Sequence, residues 1–150
     1  MDGKSAQPAA TTDPGRAPGG TGAPIIFFDG ECRMCNAFVD LVLRADRRGV
    51  FRFAPLQGET ARELLPQLGD DPRRWSMVYL DERGVHEQSD ASLEVYRRLG
   101  GAWALLGLAR WIPRRPRNAI YRVIAANRYR WFGTRACRVP TPQELERFLP

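Results

Sequence analysis

Residues 25–35 read IIFFDGECRMC, and this stretch predicts how the fold begins. The run IIFF is short, β-branched and aromatic, which is typical of a strand buried on both faces. Asp29 and Gly30 then indicate a turn. Beyond the turn, apolar residues recur at helical spacing until Gly49 ends the pattern. We therefore expect a buried strand that leads through a tight turn into an amphipathic helix, with Cys32 and Cys35 at the start of that helix.

Similar patterns predict five further elements before residue 101. An alternating segment predicts a second strand, a capping pattern with leucines predicts a short helix, and two strands flank a hairpin turn at residues 81–84. A third helix then ends at Gly100. The predicted segments are residues 50–54, 60–68, 77–80, 85–88 and 89–99.

This order of elements predicts an α/β fold. The first crossover favours parallel pairing of strands one and two, and the hairpin makes strands three and four antiparallel. The expected architecture is a mixed sheet flanked by helices, and its element order is that of the thioredoxin fold.

The chain beyond residue 101 predicts a C-terminal helical extension to this sheet. Residues 102–112 are apolar nearly all round, which predicts a buried helix or one lying under another element. A second helix is expected from Asn118 to Gly133, and a short one near the C-terminus. The extension would cover about residues 102–150.

Length and composition predict one globular domain preceded by a tail. The chain has 150 residues, of which 43% are hydrophobic and 27% are charged. Residues 1–24 contain no large apolar side chain after Met1, so we expect a disordered tail there and a domain over residues 25–150. The tail lacks the apolar segment of a secretory signal, and no apolar run is long enough to span a membrane. These features predict a cytoplasmic protein.

The two cysteines of the motif Cys32-Arg33-Met34-Cys35 are the candidate catalytic residues. A helix N-terminus stabilises a thiolate, and Arg33 adds a positive charge beside it, so both effects lower the thiol pKa. The first cysteine of such a pair is expected to be exposed and the second to be partly covered by its own helix. Cys32 is then the attacking thiolate, and Cys35 is the thiol that resolves the mixed disulfide.

Zinc binding is the alternative use of two cysteines at this spacing. A tetrahedral zinc site needs two more ligands, and the sequence contains no second pair of this kind. Cys137 and His86 are the remaining cysteine and histidine, and they lie in unrelated segments. We therefore predict redox chemistry without a bound metal or cofactor, while a half zinc site completed by carboxylates stays open.

Asp29 allows two interpretations. Its carboxylate can accept a backbone N–H and shape the turn before the cysteines, which is the interpretation we favour. It can instead accept a proton from Cys35. Asp29 and Arg33 are accordingly predicted to support the two cysteines.

The motif from Asp29 to Cys35 resembles the signature of the DCC family of thiol-disulfide oxidoreductases, which is named for its aspartate and two cysteines. Later blocks resemble that family in the same order, and the similarity extends over about residues 25–140. The blocks are residues 89–91 (SDA), 99–101 (LGG), 112–113 (IP), 118–121 (NAIY), 127–129 (NRY) and 137–140 (CRVP).

The resemblance implies a thioredoxin-like fold and a thiol-disulfide exchange activity on protein or low-molecular-weight thiols. Cys137 stands in a family-like block, so it is a candidate third redox thiol, although packing is its default role. Thioredoxins also place a cis-proline just before the third strand, whereas this chain has Arg73-Arg74-Trp75-Ser76 there. Substrate contacts beside the cysteines are therefore expected to differ from those of thioredoxin.

The segment from residue 97 to residue 138 is strongly basic. It contains 11 arginines and no Asp or Glu, whereas the whole chain has a formal net charge of +6. Tryptophans and tyrosines are interleaved with these arginines, so the segment is interpreted as a helical core with a solvated arginine face, or as a surface for an anionic partner or membrane. Nucleic acid is the less favoured partner. The alternative to an oxidoreductase is thus a thioredoxin-like binding module in which the cysteines are structural or hold zinc.

Overall fold

The computed structural model describes residues 22–66, 68–71, 74–136 and 138–150 of the chain. Most of the predicted tail and Cys137 lie outside these residues. The strands are β1 (Ile25–Phe28), β2 (Arg52–Pro55), β3 (Val78–Asp81) and β4 (Gly84–Glu87). The α-helices are α1 (Arg33–Ala45), α2 (Glu59–Leu64), α3 (Gln88–Leu99) and α4 (Arg114–Phe132), and two 3₁₀ helices span Gly101–Trp111 and Leu145–Arg147.

The four strands form one mixed sheet in the order β2-β1-β3-β4. β1 pairs with β2 in parallel and with β3 antiparallel, so that Ile26 lies between Phe53 and Tyr79. β3 and β4 form the antiparallel hairpin. The predicted α/β architecture and the predicted strand pairings are confirmed, and the arrangement is consistent with a thioredoxin-like fold.

Alternate residues of β1 divide the core into two layers, because successive side chains of a strand point to opposite faces. One layer joins Ile26 and Phe28 to α1 and α3, and the other joins Ile25 and Phe27 to α2. β1 is therefore covered on both faces, as its uninterrupted apolar sequence predicts. The helix residues in the first layer are Val39, Val42, Ala91 and Val95, and Ala61 lies in the second.

Pro24, the residue before β1, also contacts the sheet. It is buried, and its carbonyl accepts the N–H of Arg52 on the neighbouring strand. The domain boundary at residue 25 stays a prediction.

The prediction of a buried helix over residues 102–112 is wrong. This segment is the 3₁₀ helix Gly101–Trp111, in which Gly107 is the one buried residue. It packs along α3, where Trp103 stacks on Tyr96 with ring centroids 6.3 Å apart. A helix that is apolar on all sides is not necessarily buried. Here α3 covers only one side of the segment. Five large apolar side chains consequently remain exposed: Leu105, Leu106, Leu108, Trp111 and Ile112.

The C-terminus returns to the core after the short 3₁₀ helix Leu145–Arg147, which is the short helix predicted near the C-terminus. Phe148 stacks on Phe53 at 5.3 Å and forms an isolated parallel bridge with it. The Leu149 N–H donates to the Phe53 carbonyl at 2.7 Å, and the Pro150 carbonyl accepts the N–H of Thr60. The last residues thus extend the sheet at the outer edge of β2.

Candidate functional site

The turn after β1 positions both cysteines. Asp29 is buried at the end of the strand, and its Oδ1 accepts the N–H of Glu31 at 3.0 Å. The backbone carbonyl of Asp29 accepts the N–H of Cys32 at 3.2 Å. The predicted hydrogen bond from the turn backbone to the Asp29 carboxylate is thus present, and it directs the chain into α1.

Cys32 is the N-cap residue of α1. Its Sγ accepts the N–H of Cys35 at 3.4 Å, as a capping side chain does for an unpaired backbone donor. Asn36 stabilises the loop, because its side-chain amide donates hydrogen bonds to the carbonyls of Gly30 and Cys32, both at 2.8 Å. The two sulfurs therefore stand at a helix N-terminus on a hydrogen-bonded turn.

The surroundings shift the pKa values of the two thiols in opposite directions. A hydrogen bond from the Cys35 thiol, the Cys35 backbone N–H and the charge of Arg128 outweigh burial and lower the pKa of Cys32 to about 6. The same hydrogen bond, together with burial, raises the pKa of Cys35 far above its ordinary value. The site favours a thiolate on Cys32 and a protonated thiol on Cys35.

The cation beside Cys32 is Arg128 of α4, which sequence reasoning missed. Arg128 is buried, and its Nη2 lies 2.9 Å from Asp29 Oδ2. Its Nη1 donates to the Trp75 carbonyl at 2.7 Å. Arg33, which the sequence predicted for this role, is exposed. The one sequence signal for Arg128 is its place in the NRY block of residues 127–129.

Asp29 is the centre of a polar cluster, hereafter the Asp29 cluster, in which Asp29 and Arg128 are buried and Gln57 and Tyr129 are half-buried. The Gln57 side-chain amide donates to Asp29 Oδ1 at 2.7 Å, and the Tyr129 hydroxyl donates to Asp29 Oδ2. Burial opposes ionisation of Asp29, but hydrogen bonds from Tyr129, Arg128 and Gln57 prevail and hold its pKa below the usual value. An ionised Asp29 with both oxygens engaged serves as an anchor for α4. Proton transfer from Cys35 to Asp29 stays a hypothesis.

The prediction that Cys32 is the more exposed cysteine is wrong. Cys32 is 0% exposed, whereas Cys35 is partly exposed. Residues 133–135, hereafter the strap, pair antiparallel with the loop before α1 and form a bridge between Thr134 and Cys32. The Arg33 N–H donates to the Gly133 carbonyl at 3.3 Å, and the Arg135 N–H donates to the Glu31 carbonyl at 3.0 Å. This covering contact joins distant parts of the chain, so no local pattern reveals it.

Side chains of α4 also form hydrogen bonds with the backbone just before β3. The Trp75 carbonyl accepts from Arg128, and the Met77 N–H donates to the Tyr121 hydroxyl at 3.0 Å. Burial raises the pKa of Tyr121 to about 12, so this hydroxyl stays protonated. Within the described residues, no peptide bond is cis. Polar contacts from α4 thus organise the segment where thioredoxin has its cis-proline.

The remaining titratable residues do not form a second centre in the described part of the chain. His86 lies on β4 with its Nε2 3.0 Å from Asp81 Oδ1. No group of three or more His, Cys, Asp or Glu residues is arranged to hold a metal ion among the described positions. Over the same positions, no helix is long and apolar enough to cross a membrane.

The fold and the paired thiols define a thioredoxin-like dithiol protein. Residues 26–134 match the DCC1-like thiol-disulfide oxidoreductase family, and the chain belongs to that family. It is 38% identical over 128 residues to the uncharacterized protein YuxK of Bacillus subtilis (strain 168), covering 84% of this chain and 93% of the relative. It is 34% identical over 112 residues to a DCC family protein of Arabidopsis thaliana described as chloroplastic, covering 73% of this chain and 65% of that protein. No solved structure matches the chain.

Proposed function

We propose that Cys32 and Cys35 form a dithiol–disulfide couple that exchanges electrons with protein or low-molecular-weight thiols. The observation that carries this proposal is the position of Cys32 Sγ at the N-cap of α1, where surrounding groups lower its pKa to about 6. A thiolate at neutral pH is the nucleophile that thiol–disulfide exchange requires. Membership of the family supports the same chemistry.

The reaction proceeds in two exchange steps. The Cys32 thiolate attacks a substrate disulfide, forms a mixed disulfide and releases one substrate thiolate. Cys35 then passes its proton to the released substrate thiolate and attacks Cys32 Sγ, which forms the Cys32–Cys35 disulfide and releases the second substrate thiolate. The substrate disulfide gains two electrons, and the protein dithiol loses them. The same steps in reverse oxidise a substrate dithiol.

The neighbouring residues have supporting roles in this proposal. Arg128 stabilises the Cys32 thiolate through its charge, and Asp29 anchors Arg128. Cys32 is fully buried and its backbone pairs with the strap. In this proposal, movement of residues 133–135 gives a substrate disulfide access to the sulfur. The chemistry needs no cofactor. The roles of Arg33 and Cys137 and the cytoplasmic location stay predictions.

A thiol count with metal analysis of the same sample tests the proposal. Of the three cysteines in the chain, two should be lost from the count after mild oxidation with oxidised glutathione. Cys32→Ser and Cys35→Ser should each abolish the internal disulfide, and Cys137→Ser is the matched control that should retain it. Cys35→Ser should also accumulate mixed disulfides through Cys32. Stoichiometric zinc on the reduced protein, with no disulfide formed, would establish the structural-cysteine alternative instead.

A further inference from the structure

The outer side of the 3₁₀ helix Gly101–Trp111 carries an apolar row that the redox chemistry does not use. A 3₁₀ helix has three residues per turn, so Leu105, Leu108 and Trp111 lie in line along it. They are 67%, 58% and 79% exposed, respectively. Contiguous exposed apolar side chains of this size mark a binding surface.

The opposite side of the same helix explains why the row faces outward. Trp103 stacks on Tyr96 of α3. Gly107 lies against the backbone of Arg97, since a Cβ built on Gly107 would be 3.9 Å from the Arg97 Cα. These contacts fix the helix on α3 by its inner side. The apolar row is thereby held away from the domain on a supported element.

Exposed arginines lie close to the apolar row in sequence. Arg110 lies within the helix, in line with Gly107, and Arg114 and Arg115 begin α4 after Ile112 and Pro113; we call these three arginines the basic flank. Arg110 and Arg115 are exposed and form no ion pair with any residue that the structure describes, whereas Arg114 is 3.2 Å from Asp90. Arg122 and Arg130 add exposed charge on α4, and the sequence has no acid between residues 97 and 138.

We propose that the apolar row and the basic flank dock this protein on the surface of an anionic phospholipid bilayer. Leucines and a tryptophan beside arginines match a bilayer interface, where acyl chains lie directly beneath anionic headgroups. The first 21 residues of the chain contain no large apolar side chain after Met1, so they have nothing with which to bury the row. Docking would leave the protein on the membrane surface and does not depend on the activity of the two cysteines.

Vesicle co-sedimentation tests this inference with the full-length protein. Vesicles of phosphatidylcholine mixed with phosphatidylglycerol should bind it, and vesicles of phosphatidylcholine alone should bind it much more weakly. Binding should shift the tryptophan emission to shorter wavelength, and Trp111→Phe should remove most of that shift. Leu105→Gln with Leu108→Gln should weaken binding by about tenfold or more.

The role of the positive charge is tested with two double variants, each of which removes a pair of arginines. Arg110→Gln with Arg115→Gln should weaken binding to the anionic vesicles about fivefold for each arginine removed. Arg47→Gln with Arg48→Gln is the control, because those two residues are exposed in the turn after α1. Val139→Gln is the apolar control, since Val139 is highly exposed outside the row. The thiol count of every variant should equal that of the wild type.

Three results would overturn the inference. The first is the absence of binding to anionic vesicles, and the second is an equal loss of binding in the test and control variants. The third is a concentration-dependent dimer in sedimentation that the Leu105→Gln, Leu108→Gln variant no longer forms, while neither protein binds vesicles. That result would assign the apolar row to a second copy of the chain.

Discussion

The hydrogen bond from Cys35 is the largest cause of the lowered pKa of Cys32. The absorbance of the thiolate should therefore rise with pH around a midpoint near 6 in the reduced protein, as the lowered pKa of Cys32 requires. Cys35→Ala removes the largest stabilising hydrogen bond, so the midpoint should move upward, toward the value of about 8.5 for a free cysteine. Cys137→Ala should leave the titration curve in place. A wild-type midpoint near that of a free thiol would contradict the proposed activation.

The buried ion pair of Arg128 and Asp29 should contribute both to stability and to thiol ionisation. Arg128→Met leaves the Asp29 carboxylate buried without its cation, so the free energy of unfolding should fall by about 3–5 kcal/mol. The pKa of Cys32 should rise in the same variant, because the charge of Arg128 lowers it in the wild type. Chemical denaturation and thiolate absorbance measure the two effects.

The control for this prediction lies on the same helix. Arg130 is exposed, so Arg130→Met should change the free energy of unfolding by no more than about 0.5 kcal/mol. Asp29→Asn combined with Arg128→Met removes both charges and should restore part of the lost stability. A double variant as unstable as the sum of the two single variants would show that the pair is not coupled.

The proposed control of access to Cys32 by the strap depends on Gly133, which sets the path of residues 133–135. Gly133 ends α4 with φ 80° and ψ −179°, a conformation that is nearly restricted to glycine. Gly133→Ala should therefore strain the covered state by about 1–3 kcal/mol. Iodoacetamide should then modify Cys32 about fivefold faster or more at fixed pH, while the pKa of Cys32 stays unchanged. Mass mapping of the modified peptide measures the rate.

Gly49→Ala is the control for the strap, because Gly49 also has a positive φ of 63° but lies in the loop after α1. This variant should lose stability without accelerating the modification of Cys32. Equal acceleration in both variants would show that global unfolding, and not the strap, exposes the thiol.

The molecule as a whole depends on its C-terminal third. α4 supplies Arg128 and Tyr129 to the Asp29 cluster, and Phe148 packs against β1 and β2. Removal of residues 102–150 would expose Phe28 and Phe53 and leave Asp29 unpaired. Burial of each such side chain is worth about 1.5–3 kcal/mol, and an unpaired buried charge costs more, against a total stability of about 5–15 kcal/mol.

The truncated chain should therefore lack a cooperative thermal transition and should aggregate. Deletion of residues 1–21 is the contrasting variant, and its melting temperature should be nearly that of the full chain, since these residues offer nothing large and apolar to pack. Calorimetry measures both. Cooperative unfolding of the truncated chain, with an intact Cys32–Cys35 couple, would show that the C-terminal region is a separate module.

Local sequence pattern was enough to predict several features of this protein. The apolar run of β1, the helical spacing after the turn and the hairpin signal specify the order of the elements, because strand and helix periods are local properties. Cys32 and Cys35 were identified as the candidate site for the same reason, since their spacing and their place before a helix can be read directly. The resemblance of the motif predicted the family to which the chain belongs.

How those elements cover one another depends on contacts between residues far apart in the chain. Arg128 meets Asp29 across 99 residues of chain, and the strap reaches Cys32 across a similar separation. Local pattern indicates which side of a helix is apolar, but burial depends on what packs against it. Cys32 was thus expected to be exposed and is covered, whereas residues 102–112 were expected to be buried and present Leu105, Leu108 and Trp111 at the surface.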